Sequence, residues 1–435
     1  MRDRDTPPPA PGFWTLAGVE AWERFAIQGA KSLLTLFLLT DLLRPSGPPV
    51  LGLAGLRAAI EGVTGTRGDI AFASQLYGLY GALTYLILPL GGWLADRSGR
   101  RRVAMFVGAG LMAAGLVALT GRPFALVGLG LLIGGIGLLK GNLAAEVGAL
   151  RGSAGGERLF AAYLAFLNGG ALLGPLLCGW LAERYGFGTA FAAMAASMAV
   201  AVLLLLRAAP RVTVPAAAQD DGAAVAWRQV VPAIVAVTLC FCAYEQLTNI
   251  VLVWAEARVA LSVGGFAVPP GWLAAADGLF TIALALGAYR LWPWLARRRC
   301  EPAAGIKLAL GGVAIALGYG LIALLSMRVG AVGLAGPLAA ILLLGIGVVL
   351  SWPSALAIVT AAAPPGRRGM MTGLFYLHGF VAHLVVGQLG TLYPVMSAPR
   401  FWMIHVALAL AGAVVALAIP RDQATTTSTA DSASA

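Results

Sequence analysis

Five polar side chains recur along the first apolar run of the chain: Glu20, Glu23, Arg24, Gln28 and Lys31. At about 100° per residue they fall within an arc of roughly 140° on one helix face, so they line an interior or a cavity. Ionisable groups in such a run cost several kcal/mol to insert, and by default they mark ion or substrate paths. Later apolar runs carry Lys140 with Gly141 and Asn142, then Glu245, Gln246, Thr248 and Asn249, then Asp277. The spacing predicts Glu245, Thr248, Asn249 and Glu256 on one face of a helix. The deep set is thus four acids, Glu20, Glu23, Glu245 and Asp277, against three bases, Arg24, Lys31 and Lys140. A surplus buried acid can serve as a proton carrier, provided that all of these groups share one cavity.

Lysine usage points the same way. Of 30 cations only three are Lys, and two of them, Lys31 and Lys140, lie in apolar runs. Buried Lys can give up its proton, whereas Arg cannot. His378, His383 and His405 are expected to be packed and hydrogen-bonded, with His378 kept as a pathway candidate beside Phe375 and Tyr376. The cysteines, Cys178, Cys240, Cys242 and Cys300, suggest neither a disulfide framework nor a metal site, and no cofactor is expected.

The elements that must hold these groups follow from composition. Of 435 residues 59% are hydrophobic and 11% charged, with a mean hydropathy of +0.84. The long, continuous apolar runs exclude β-barrel, disordered and disulfide-rich classes and predict a multi-pass α-helical membrane protein. Spans are read near 13–42, 70–95, 103–121, 124–148, 158–182, 187–206, 229–255, 269–294, 305–327, 332–361, 369–393 and 400–419. The longest polar break divides them into six-span halves, 13–206 and 229–419, joined by a linker at 207–228, a body plan of secondary transporters. Residues 1–12, with Pro7-Pro8-Pro9, lack the apolar core of a signal peptide, and the Thr/Ser/Ala-rich tail at 420–435 reads as disordered.

With the N-terminus placed in the cytoplasm, 19 cations fall on that side, eight on the other, and three within spans. Both termini are therefore expected to be cytoplasmic, and the net charge of +11 reflects topology rather than nucleic-acid binding.

Residues 90–102, Leu-Gly-Gly-Trp-Leu-Ala-Asp-Arg-Ser-Gly-Arg-Arg-Arg, resemble the loop between spans 2 and 3 of the major facilitator superfamily. Within it the chain resembles the proton-dependent oligopeptide transporters: Glu20-Ala21-Trp22-Glu23-Arg24-Phe25 matches the ExxERF motif of span 1. Further matches include Lys140 with Asn142, Asn168-Gly169, Tyr244-Glu245-Gln246, Trp272 to Gly278, Glu301-Pro302 to Lys307, and Met370 to Gly373. The resemblance implies proton coupling through Glu20, Glu23, Arg24, Lys140 and Glu245. It implies substrate contacts from Lys31, Tyr80, Asn168, Glu245, Asn249, Trp272 and Asp277, with Lys31 taking a peptide carboxylate. Gly92, Asp96, Arg97 and Arg101 become gating residues that do not touch substrate.

Departures from that pattern shape the expectation. The span 10 acid that receives the peptide amine aligns with Val348, two tyrosines of span 1 become Ile27 and Gln28, and the span 8 Asn-Pro becomes Asp277-Gly278. Either Asp277 substitutes in part as the amine anchor, or the substrate is not a simple peptide. The pair of extra helices that many bacterial members insert between the halves has no room in 207–228. The expected protein is a monomeric, proton-coupled importer of di- or tripeptides or peptide-like amino compounds in a bacterial inner membrane. A drug or natural-product exporter on the same fold is the alternative. An enzyme or sensor is disfavoured, since no nucleophile, metal set or soluble domain is evident.

Overall fold

The protein is described by a computed structural model covering residues 12–65, 67–150, 156–207, 224–364 and 367–420; side chains of 144–150, 156–162, 164 and 369 are not described. The N-terminal segment before Gly12, most of the 207–228 linker and the tail after Pro420 lie outside these residues.

Fourteen α-helices make up nearly all of the described chain. In order they are α1 (Phe13–Phe37), α2 (Leu53–Thr64), α3 (Asp69–Ser98), α4 (Arg101–Thr120), α5 (Ala125–Leu150), α6 (Gly156–Tyr185) and α7 (Phe187–Arg207). Then follow α8 (Trp227–Tyr244), α9 (Ile250–Arg258), α10 (Trp272–Arg297), α11 (Ala304–Ser326), α12 (Ala335–Ala361), α13 (Arg368–Gly390) and α14 (Ala398–Leu417). Among the described residues, twelve helical segments are long and apolar enough to cross a membrane. At 1.5 Å per residue, 20 residues reach the roughly 30 Å of a hydrocarbon core.

The apolar cores follow the order of the chain. One is built from residues between Phe13 and Leu205, joined by Val386. Two more are built from residues between Val225 and Ala416, joined by Leu36. Lipid offers no hydrophobic drive for helix pairing, so small residues set how closely helices approach. On α4 and α5, a Cβ at Gly115 would lie 2.6 Å from the Gly128 carbonyl oxygen, and one at Gly135 equally close to that of Gly108.

Three local features differ from the expected spans. The loop after span 1 contains α2, an exposed helix whose Arg57 bonds Glu61 and Asp69, each at 2.8 Å. A small hairpin pairs Ser262–Val263 with Phe266–Ala267 across Gly264-Gly265, both with positive φ as a tight two-residue turn requires. The seventh span is broken rather than continuous: α8 passes into a 3-10 turn at Glu245–Thr248, Asn249 leaves helical geometry at φ −117, ψ −101, and α9 resumes. Backbone freed in a membrane interior must be satisfied by neighbours. Here the Tyr319 hydroxyl donates to the Ala243 carbonyl at 2.7 Å, and the Tyr77 hydroxyl lies 2.5 Å from Thr248 Oγ1. The break also corrects the shared face, because Glu245 and Asn249 are buried while Glu256 is exposed.

Candidate functional site

The polar face of α1 supplies the first cluster. Glu20 and Glu23 are buried, and Arg24 lies between them, its Nε 2.9 Å from Glu20 Oε1 and 3.6 Å from Glu23 Oε2. Lys140 reaches in from α5, its Nζ 4.0 Å from Glu23 Oε1. Two acids thus face two bases, and the set is electrically balanced when all four are ionised. Neither carboxylate oxygen of Glu23 accepts a hydrogen bond. Such a buried acid depends on its ion pairs alone and responds when either cation moves.

The second cluster forms about two helical turns further along α1, at the break after α8. Lys31 Nζ donates to Glu245 Oε2 at 2.5 Å, and His383 of α13 places Nε2 3.6 Å from the same oxygen. Behind this pair lies a buried amide and hydroxyl network. Thr35 donates to Asn249 Oδ1 at 3.0 Å, while Asn249 Nδ2 donates to Ser74 Oγ at 2.7 Å and to Gln246 Oε1 at 3.0 Å. Ser74 donates on to the Gly387 carbonyl at 3.2 Å.

These bonds join α1 and α3 to the α8–α9 break and α13, across the two sets of helices. The backbones meet there directly, since a Cβ on Gly78 would lie 2.6 Å from Gly387 Cα. A second seam joins α6 to α10, where Trp272 Nε1 donates to the Leu176 carbonyl at 2.8 Å. Every one of these contacts lies toward the end carrying the 43–68, 259–271 and 391–397 connections, so that end is closed.

Asp277 stands apart from both clusters. Its Oδ2 accepts the Tyr244 hydroxyl at 2.6 Å, while Oδ1 is buried without a partner, as are Thr281 Oγ1 and the Tyr80 hydroxyl. Lys31 lies within electrostatic reach of Asp277. Asn168 is half-buried on α6. Val348 packs against an apolar core and offers no charge.

The direct contacts therefore divide the seven expected charges into two ion-paired clusters and a separate Asp277. Asn249 is spent on three bonds of the closed end, and Trp272 on the α6–α10 seam. His383, rather than His378, reaches the titratable acid; His378 turns Nδ1 onto its own Phe375 carbonyl at 2.5 Å. Tyr77, Ser74 and Thr35 were not singled out from the sequence, because single hydroxyls in apolar helices carry no periodic signal. At the other end, Arg101 pairs with an exposed Asp96, Arg97 lies over the Trp93 ring, and Gly92 sits 4.0 Å, measured from a built Cβ, from the Gly141 carbonyl. Among the described residues no group of three His, Cys, Asp or Glu side chains is placed to hold a metal ion.

Comparison with known proteins places this geometry. The sequence profile of the Major Facilitator Superfamily matches residues 50–387. The peptide transporter YePEPT of Yersinia enterocolitica is 26% identical, over 85% of each chain. The di-/tripeptide transporter of Lactococcus lactis is 23% identical, over 94% of this chain and 95% of its own. A crystal structure of a variant peptide transporter POT in complex with alafosfalin superposes with a TM-score of 0.78 at 24% identity, over 94% of each chain. These proteins are transporters and not enzymes, and the superposed structure shares the fold described above. With the span 1 motif and the span 2–3 loop both present, the chain belongs to the major facilitator superfamily, in its proton-dependent oligopeptide transporter (POT) branch.

Proposed function

We propose that the protein is a proton-coupled symporter that imports di- or tripeptides, or peptide-like compounds carrying an amine and a carboxylate. The observation that carries this reading is the Lys31–Glu245 pair at 2.5 Å, an ion pair bridging the two sets of helices at the closed end. A substrate carboxylate and a proton compete for the same contact. Protonating Glu245 removes the charge that holds Lys31, the freed ammonium takes the carboxylate, and the closed end can rearrange. Glu20, Glu23, Arg24 and Lys140 act in the same sense, because a proton on either acid loosens the grip on both cations. The sequence motif and the peptide-transporting relatives support this assignment.

Substrate would lie between Lys31 and Asp277, with Tyr80 and Asn168 alongside. Asp277 is the amine anchor in this reading, since its unpartnered Oδ1 has acceptor capacity that Val348 lacks. The halves 13–206 and 229–419 rock about this site, with Asp96, Arg97 and Arg101 making and breaking charge pairs at the opposite end and Gly92 allowing close helix contact there. The protein works as a monomer in a bacterial inner membrane with both termini in the cytoplasm. One proton crossing 100 mV supplies about 2.3 kcal/mol, enough to concentrate a neutral substrate roughly 50-fold.

The test is uptake into proteoliposomes under an imposed inward pH gradient, screening labelled di- and tripeptides against simple amines and carboxylates. Wild-type protein should accumulate a peptide or amino compound above its external concentration, and Glu245→Gln should bring it down to equilibration. Accumulation retained by Glu245→Gln overturns the coupling role, and gradient-driven movement outward overturns import in favour of the exporter.

A further inference from the structure

His383 has no role in the mechanism above, yet its geometry is tightly specified. The ring is 2% exposed, and Nδ1 lies 2.9 Å from the Gly379 carbonyl oxygen, one turn back on α13. A carbonyl only accepts, so Nδ1 must carry a hydrogen. In a neutral ring Nε2 is then a bare lone pair, and it faces Glu245 Oε2 at 3.6 Å. Two buried acceptors held face to face cost energy unless a proton lies between them. That requirement is relieved when the pair holds one proton, on either the imidazole or the carboxyl.

We propose that His383 shares a proton with Glu245 and thereby lets Lys31 be released. When Glu245 is ionised, Lys31 occupies Oε2 and His383 stays neutral. When a proton arrives, Glu245 turns its hydroxyl to Nε2, the protonated acid keeps a hydrogen bond, and Lys31 is left free for a carboxylate. The groups facing the ring are Lys31 on α1, Tyr77 and Tyr85 on α3, Glu245 at the α8–α9 break and His378 on its own helix. The ring also lies on the seam that closes the transporter, because a Cβ at Gly81 would sit 1.9 Å from His383 Cδ2. Separating α3 from α13 uncovers the ring, so access of the shared proton is tied to opening of that end.

The role of the proton in transport rests on the symport reading above, but its sharing can be measured without substrate. The chain has only three histidines. Full-length protein labelled with ¹⁵N-histidine and reconstituted in lipid gives three imidazole signals by solid-state NMR, and His383→Gln assigns the relevant one. Glu245→Gln and Lys31→Gln should displace the His383 titration by about one pH unit or more, in opposite senses, while His405 stays unmoved. Both variants are folded if the His405 signal keeps its wild-type position. A His383 titration unmoved by Glu245→Gln overturns the inference. Displacements that appear in a protein unable to accumulate any substrate under a pH gradient sustain the shared proton and overturn only the symport reading.

Discussion

At the scale of single residues, the distinguishing feature is an acid on α10 where the resemblance read from the sequence leads one to expect an acid on α12, at Val348. Half-buried Asp277 holds one oxygen against Tyr244 at 2.6 Å and leaves the other buried without a partner. A buried carboxylate oxygen with spare acceptor capacity is expensive unless a ligand supplies a donor. A substrate ammonium is such a donor, and in the proposed mechanism Lys31, once released from Glu245, takes the opposite end of the same molecule. Hydrogen bonds to charged groups are worth about 1.5–3 kcal/mol, so Asp277→Asn should weaken an amine-bearing substrate roughly 10- to 100-fold. The measurement compares uptake of a dipeptide with that of its des-amino analogue, which should be indifferent to the change. Equal loss of both, or loss of neither, removes Asp277 from amine recognition.

At the scale of elements, the long helices were legible and their interruptions were not. Spans end at charge and glycine, as at Gly99 with φ +62, and those signals are local. The break at Asn249 depends on partners distant in sequence, since Tyr77, Ser74 and Tyr319 satisfy the groups it exposes. The face shared by Glu20, Glu23, Arg24 and Lys31 could be read from helical period alone, whereas the pairing of Lys31 with Glu245 needed the resemblance. His383 was invisible as a partner because nothing in span 11 encodes its distance from α8. The α3–α13 seam gives this scale its own prediction. A methyl at Gly78 would lie 2.5 Å from the His383 carbonyl oxygen, so Gly78→Ala cannot be accommodated without moving one helix. Overpacking costs about 1–3 kcal/mol, and 1.4 kcal/mol is a tenfold change in population. Ser74 is fully buried in the seam. In a background lacking Cys300, maleimide labelling of Ser74→Cys should therefore speed up about tenfold or more when Gly78→Ala is added. An unchanged rate means that the seam does not govern opening.

At the scale of the whole molecule, the closed end has a side only if the orientation is known. Counting cations by connection puts 19 on the side of the N-terminus and eight on the other, from which we propose that the N-terminal side is cytoplasmic. In that proposed orientation the closed seam faces outward, and Lys31, Glu245 and His383 would shield the proposed site from the exterior. The chain carries its own reporter of this arrangement. Cys178, Cys240 and Cys242 are buried, whereas Cys300 is exposed in the connection between α10 and α11, directly after Arg297, Arg298 and Arg299. An impermeant maleimide therefore reads Cys300 alone in the native protein. Inside-out vesicles should label and right-side-out vesicles should not, with Cys300→Ser abolishing the signal in both. Labelling from the outside would reverse the orientation. The closed seam would then face the cytoplasm, and an inward gradient would drive protons to the Lys31–Glu245 pair from the side opposite the seam.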